Sequence, residues 1–126
     1  MNQLILVALG GAIGASLRHF TNVGAMRFFG PNFPWGTFGI NVIGSFAMGV
    51  FIELLARRFG GSNELRLFFA TGILGGFTTF SAFSLDFVEL VERGALGSAL
   101  LYALASVVIS ILALFVGLWL VRTLVG

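Results

Sequence analysis

Thr71-Gly72-Ile73-Leu74-Gly75-Gly76-Phe77-Thr78-Thr79-Phe80-Ser81-Ala82-Phe83-Ser84 lies inside an apolar run that extends from Leu65 to Val91. A run of that length crosses the hydrocarbon of a bilayer, which takes about 20 mostly apolar residues. Paired glycines followed by two threonines are nevertheless poor helix formers. The stretch therefore predicts a membrane-spanning helix broken near the bilayer midplane. Non-helical backbone at that depth persists only inside protein or beside a cavity. Carbonyls freed by such a break can bind a cation. Beyond the break, Phe80 and Phe83 are three apart and share a helical face. Most intramembrane phenylalanines pack the interior, but the electropositive edge of a phenyl ring can also receive a small anion.

Three further apolar runs are long enough to span: roughly Gln3–Val23, Trp35–Leu55 and Gly97–Val121. With the third run they predict an all-α membrane protein of four transmembrane helices, one domain over residues 1–126. The first connection, from Arg27 to Pro34, holds both prolines; the others are Arg57 to Glu64 and Glu92-Arg93-Gly94. Connections this short make neighbouring helices antiparallel. The first run could be mistaken for the core of a signal peptide. It lacks a basic leader and apolar character resumes throughout the chain, so it reads as the first span.

Composition agrees. Hydrophobic residues make up 58% of the chain and charged residues 10%, against about a quarter charged in a soluble domain. Too little polar surface exists to cover a water-soluble globule. All seven basic residues are arginine, scattered at the ends of apolar runs, a pattern that fits membrane flanks better than a nucleic-acid-binding surface. Without cysteine there is no disulfide or thiolate chemistry, and a lone His19 cannot build a zinc site. Arg57, Arg58, Arg66 and Arg122 fall on one side of the membrane, Arg18, Arg27 and Arg93 towards the other. Four against three gives the positive-inside rule little to act on, so insertion in both orientations is open; leaving out Arg18 as intramembrane makes it four against two.

Polar residues recur at steps of four, which places them on single helical faces. The first span carries Gly10, Gly14, Arg18 and Asn22. Its glycines allow close helix packing, whereas Arg18 either lines a vestibule or snorkels to an interface. The second carries Thr37, Asn41 and Ser45. The buried Asn41 amide must find partners, in an anion or in a neighbouring carbonyl, and interhelical bonding is the simpler use. The fourth carries Ser98, Tyr102, Ser106 and Ser110, a continuous polar track. A single intramembrane serine can satisfy itself on its own helix; a file of four is harder to dismiss.

The segment Gly75 to Ser84, with Trp35-Gly36-Thr37-Phe38-Gly39-Ile40-Asn41 and the Leu17-Arg18 pair, resembles the Fluc-type (CrcB family) bacterial fluoride channels over essentially the whole chain. That resemblance implies a multi-pass protein of the bacterial inner membrane that exports fluoride passively. It implies a dual-topology antiparallel homodimer with two pores. Phe80 and Phe83 match the fluoride-coordinating ring pair, and Asn41 the asparagine beside it. Thr79 and Ser81, with Tyr102, Ser106 and Ser110, match the hydroxyls of the ion path, and Arg18 the vestibule arginine. Gly75 and Thr78 match the residues whose backbone carbonyls hold a central structural sodium ion, Na+. Asp86 falls where an acid often follows the ring pair. Ala82 departs from the pattern where several relatives would carry a hydroxyl.

The physics suits such an ion. Fluoride is strongly hydrated and needs donors that replace water, while conduction needs binding weak enough to release it. The chain has no lysine to trap an anion, and no G-x-x-x-x-G-K-[ST] motif for nucleotide. One competing reading is a four-span exporter of hydrophobic cations, similar to the small multidrug transporters. It would need a membrane-embedded carboxylate, and the first span has none. Another is a structural subunit whose polar stripes only join helices. No nucleophile and base can be assembled into an enzyme site.

Overall fold

The helix-forming content of the four apolar runs is realised in a computed structural model of the protein, which describes residues 2–125. Helix α1 spans Asn2–Phe29 and α2 spans Trp35–Arg58. The third membrane segment, Asn63–Glu92, is divided. Its first half, α3, covers residues 63–77, and its second half, α4, covers Ser81–Glu92. Helix α5 spans Leu96–Leu124. All four segments are long and apolar enough to cross a bilayer, and the protein is a multi-pass membrane protein. The 28 residues of α1 reach roughly 42 Å at 1.5 Å per residue, beyond the roughly 30 Å of hydrocarbon. Helices therefore continue past the apolar runs into the headgroup region, taking Arg27, Arg57, Arg58 and Arg122 with them as last-turn residues. Cations at helix C-termini also complement the helix dipole.

The turn between α4 and α5 shows why it is so short. Gly94 adopts φ +80°, its N–H bonds the Val91 carbonyl at 3.0 Å, and the Ala95 N–H bonds the Leu90 carbonyl at 2.9 Å. This is a Schellman closure, which requires a left-handed residue and so favours glycine.

Two parallel pairs make up the bundle. Helix α1 lies along α3, where Gly10 meets the backbone of Phe68 and Gly72, and Gly14 meets Ile73 and Phe77. Helix α2 lies along α5, where Gly49 meets Leu114 and Leu118, and Gly117 meets Phe46 and Val50. Lipid tails supply no hydrophobic drive for helix association, so this close backbone contact is what holds each pair. The α4–α5 hairpin adds a small aromatic core in which Leu90, Ala99 and Tyr102 are fully buried against Phe33, Phe38, Phe83 and Phe87.

The third segment is bent as the sequence predicts, but not at its glycines. Gly75 keeps helical angles, and Gly76 is packed so closely that an added Cβ would lie 2.7 Å from the Gly11 carbonyl oxygen. The chain leaves the helix at Thr78, whose φ −82° and ψ 156° are extended. A second feature has no signature in helix propensities: Arg66–Leu74 is a π-helix. Its wider turn is the kind of irregularity found at functional sites.

The α1–α3 contact predicts a contrast between two glycines of α1. A Cβ at Gly14 would lie 2.8 Å from the Phe77 backbone nitrogen, whereas Gly24 faces open space. Gly14→Val should destabilise the protein by about 1–3 kcal/mol or more through overpacking. Gly24→Ala should leave stability unchanged or slightly raised. Thermal unfolding in detergent, followed by circular dichroism, measures both; equal effects would show that the α1–α3 glycine contact does not stabilise the fold.

Candidate functional site

Bending a helix in mid-membrane leaves backbone groups that must be satisfied. The Asn41 side chain meets two of them on one residue. Its Oδ1 accepts from the Thr79 N–H at 3.1 Å, and its Nδ2 donates to the Thr79 carbonyl at 3.2 Å. Of the two uses open to this amide, the neighbouring backbone is the one seen. Thr79 in turn caps α4, its Oγ1 accepting from the Ala82 N–H at 3.1 Å and lying 3.3 Å from Ser81 Oγ. Thr78 turns back to α3, donating from N–H and Oγ1 to the Leu74 carbonyl at 3.0 and 2.9 Å.

These bonds divert the donors that would close on Gly75 to Thr78 in an unbroken helix. The Thr79 N–H goes to Asn41 and the Ala82 N–H to Thr79 Oγ1, and no bond from Phe80 or Ser81 returns to α3. The carbonyls of residues 75–78 are thus released from the helix ladder.

The released backbone borders a groove of about 560 Å³ between α2, α5 and the break. Asn41, Gly75, Thr78, Thr79, Phe80, Phe83, Ser106 and Ser110 all line it, joined by Gly44, Ser45, Met48, Val107 and Leu114. The Phe80 and Phe83 rings in this lining have centroids 5.6 Å apart. Phe80 is 77% exposed on the single chain, while Phe83 leans on Tyr102 at 5.0 Å.

The two serines differ from the hydroxyls that close on their own helix. Ser16, Thr21, Thr78, Ser84 and Thr123 each bond the carbonyl four residues before them. Ser106 and Ser110 do not: both Oγ atoms are buried and have no partner among the described residues. A buried hydroxyl without a partner is costly, and these two border open space, where a hydrated ion or water can meet them.

Three sequence-selected residues stand apart from the groove lining. Ser81 reaches it only through Thr79. Tyr102 is fully buried and its hydroxyl donates to Asp86 Oδ2 at 3.2 Å, so it backs Phe83. Arg18 lies one turn beyond the Gly14–Phe77 contact, partly buried, with its Nε buried and unpartnered among the described residues. Gly44, Met48, Val107 and Leu114 line the groove without having been singled out in the sequence; Gly44 and Met48 follow Asn41 and Ser45 by three, which places them on the same face of α2.

A bundle of membrane helices with a polar groove at a break in the third span defines an integral membrane protein with an interior polar site. Comparison with known proteins narrows the class. Residues 5–118 match the family described as CrcB-like protein, Camphor Resistance (CrcB), and the chain belongs to that family. It is 68% identical over 124 residues to a Mesorhizobium japonicum protein named "Fluoride-specific ion channel FluC", covering 98% of this chain and 99% of that one. Proteins of the same name from a Chelativorans species and from Agrobacterium fabrum are 64% and 58% identical over the same shares. The family is one of ion channels, not enzymes.

The Asn41 bonds yield a stability prediction. Asn41→Leu leaves the Thr79 N–H and carbonyl both unpaired, at about 1–3 kcal/mol for each group. Asn41→Asp retains an acceptor for the N–H and loses the donor, so its loss should be intermediate. Thermal unfolding of both variants beside the parent checks the order; an unchanged Asn41→Leu protein would show that the pairing is dispensable.

Proposed function

We propose that this chain forms a fluoride-selective channel that releases fluoride passively from the cytoplasm and so relieves its toxicity. The observation that carries the reading is the pair of buried, unpartnered hydroxyls of Ser106 and Ser110 beside the Phe80 and Phe83 rings. Hydroxyls can replace water around a strongly hydrated anion, and ring edges add weak positive potential without a fixed charge. The names of its relatives supply the ion. The remaining Asn41 amide hydrogen and Thr79 complete the proposed path, with Ser81 and Tyr102 supporting it from behind Thr79 and Phe83 and Arg18 at its vestibule.

The conducting form is an antiparallel homodimer with two pores. Supporting this are the near-even arginine distribution, the open flank of the groove and the exposure of Phe80, a ring that a second copy would cover. The released carbonyls at Gly75 and Thr78 fit a hard cation, being main-chain oxygens with no thiolate or imidazole nearby. Sodium bound there by both copies would supply structural cross-linking at the dimer centre. The carboxylates give a proton-coupled cation exporter little support: Glu53 is paired with two arginines and Asp86 accepts from Tyr102.

Fluoride-electrode measurements on liposomes containing the purified protein test the reading. Fluoride efflux should far exceed chloride efflux under matched gradients; equal rates would overturn it. Phe80→Ile and Phe83→Ile keep bulk and lose the ring quadrupole, so each should slow efflux roughly tenfold or more while the protein stays folded. Wild-type rates in both would assign the rings to packing. Exhaustive replacement of sodium by a large organic cation should weaken the dimer on size exclusion and reduce efflux. If both are unaffected, sodium has no part in the structure.

A further inference from the structure

The net charge of the molecule lies at one end. Where α2 and α5 finish and α3 begins, Arg57, Arg58, Arg66 and Arg122 face only Glu53 and Glu64. At the other end Asp86, Glu89 and Glu92 balance Arg18, Arg27 and Arg93, so the whole +2 belongs to the first end. There Glu53, whose side chain is 12% exposed, accepts from Arg57 Nε at 2.7 Å through Oε2 and from Arg122 Nε at 3.0 Å through Oε1. One carboxylate thus orients two guanidinium groups from two helices. Both are held by Nε alone, and their terminal amines have no hydrogen-bond partner among the described residues.

That arrangement exceeds what joining α2 to α5 requires. A single arginine would neutralise Glu53; the second, with Arg58 beside Arg57, leaves two positive charges uncompensated. The charges stand at the headgroup level, since Arg122 follows the exposed Trp119 by one turn and tryptophan concentrates at membrane interfaces. Terminal guanidinium forks match phosphate oxygens in geometry and charge. We propose that Arg57 and Arg122, fixed by Glu53, bind the phosphate of an anionic phospholipid headgroup at this end of the bundle. The site is independent of the ion path: it lies on the far side of the α2–α5 glycine contact and shares no residue with the groove.

Native mass spectrometry of the purified protein with equimolar phosphatidylglycerol and phosphatidylcholine tests the proposal. Phosphatidylglycerol should be retained in excess, by roughly fivefold for each arginine engaged. It alone should raise the unfolding temperature. The combined Arg57→Gln and Arg122→Gln changes should abolish the preference, and Arg27→Gln at the opposite end should preserve it. Equal retention of the two lipids by the parent protein would overturn the site, as would an undiminished preference in the double variant. An equal thermal shift from inorganic phosphate alone would overturn the assignment to lipid. The competition on the parent protein decides the matter even where the double variant does not fold.

Discussion

A side-chain amide that satisfies both backbone groups of one residue makes the interrupted span tenable. Hydrocarbon offers no water to an unpaired N–H or carbonyl, so a helix can open there only where protein answers for what is released. Asn41 does so for Thr79. With its backbone fixed, Thr79 can cap α4, and that cap sets where the second half-helix begins. The start of α4 determines the positions of Phe80 and Phe83, and the hairpin to α5 brings Tyr102 behind Phe83. The groove is thus downstream of a single pairing between α2 and the break.

The glycines serve a different part of the design. By drawing α1 against α3 and α2 against α5, they produce two closely packed pairs and leave the space between them to polar side chains. Gly44 belongs to both tasks. It stands against the methyl of Thr78 and the ring of Phe77 while lining the groove. A larger residue there would fill the groove and push on the break together.

Spans, polar stripes and the existence of a break are legible in the sequence because each rests on local periodicity or composition. Asn41, Ser106 and Ser110 were selected by their spacing of four, and the fold brings them to one groove. The location of the break was not legible from Gly75-Gly76, since those glycines answer to packing against α1, a tertiary demand that propensity does not register. Nor did the sequence show that Tyr102 points its hydroxyl at Asp86, because the two sit on different helices and meet only through the hairpin. The π-helical turn at Arg66–Leu74 shares its composition with an ordinary helix. The Glu53 pairing with Arg122 depends on α2 and α5 packing side by side, a neighbour relation that loop lengths alone leave unspecified.

The interruption also has an electrical side. In a continuous helix each interior peptide dipole is answered by the next, and uncompensated ends lie at the membrane surfaces, where water and salt screen them. Here α3 ends on the carbonyls of residues 75–78 and α4 begins at Ser81, both inside the bilayer. Each end carries roughly half an elementary charge, negative on α3 and positive on α4. The third span is therefore two short rods meeting at opposite poles, and the middle of the membrane holds a standing field that favours cations on one side of the gap and anions on the other.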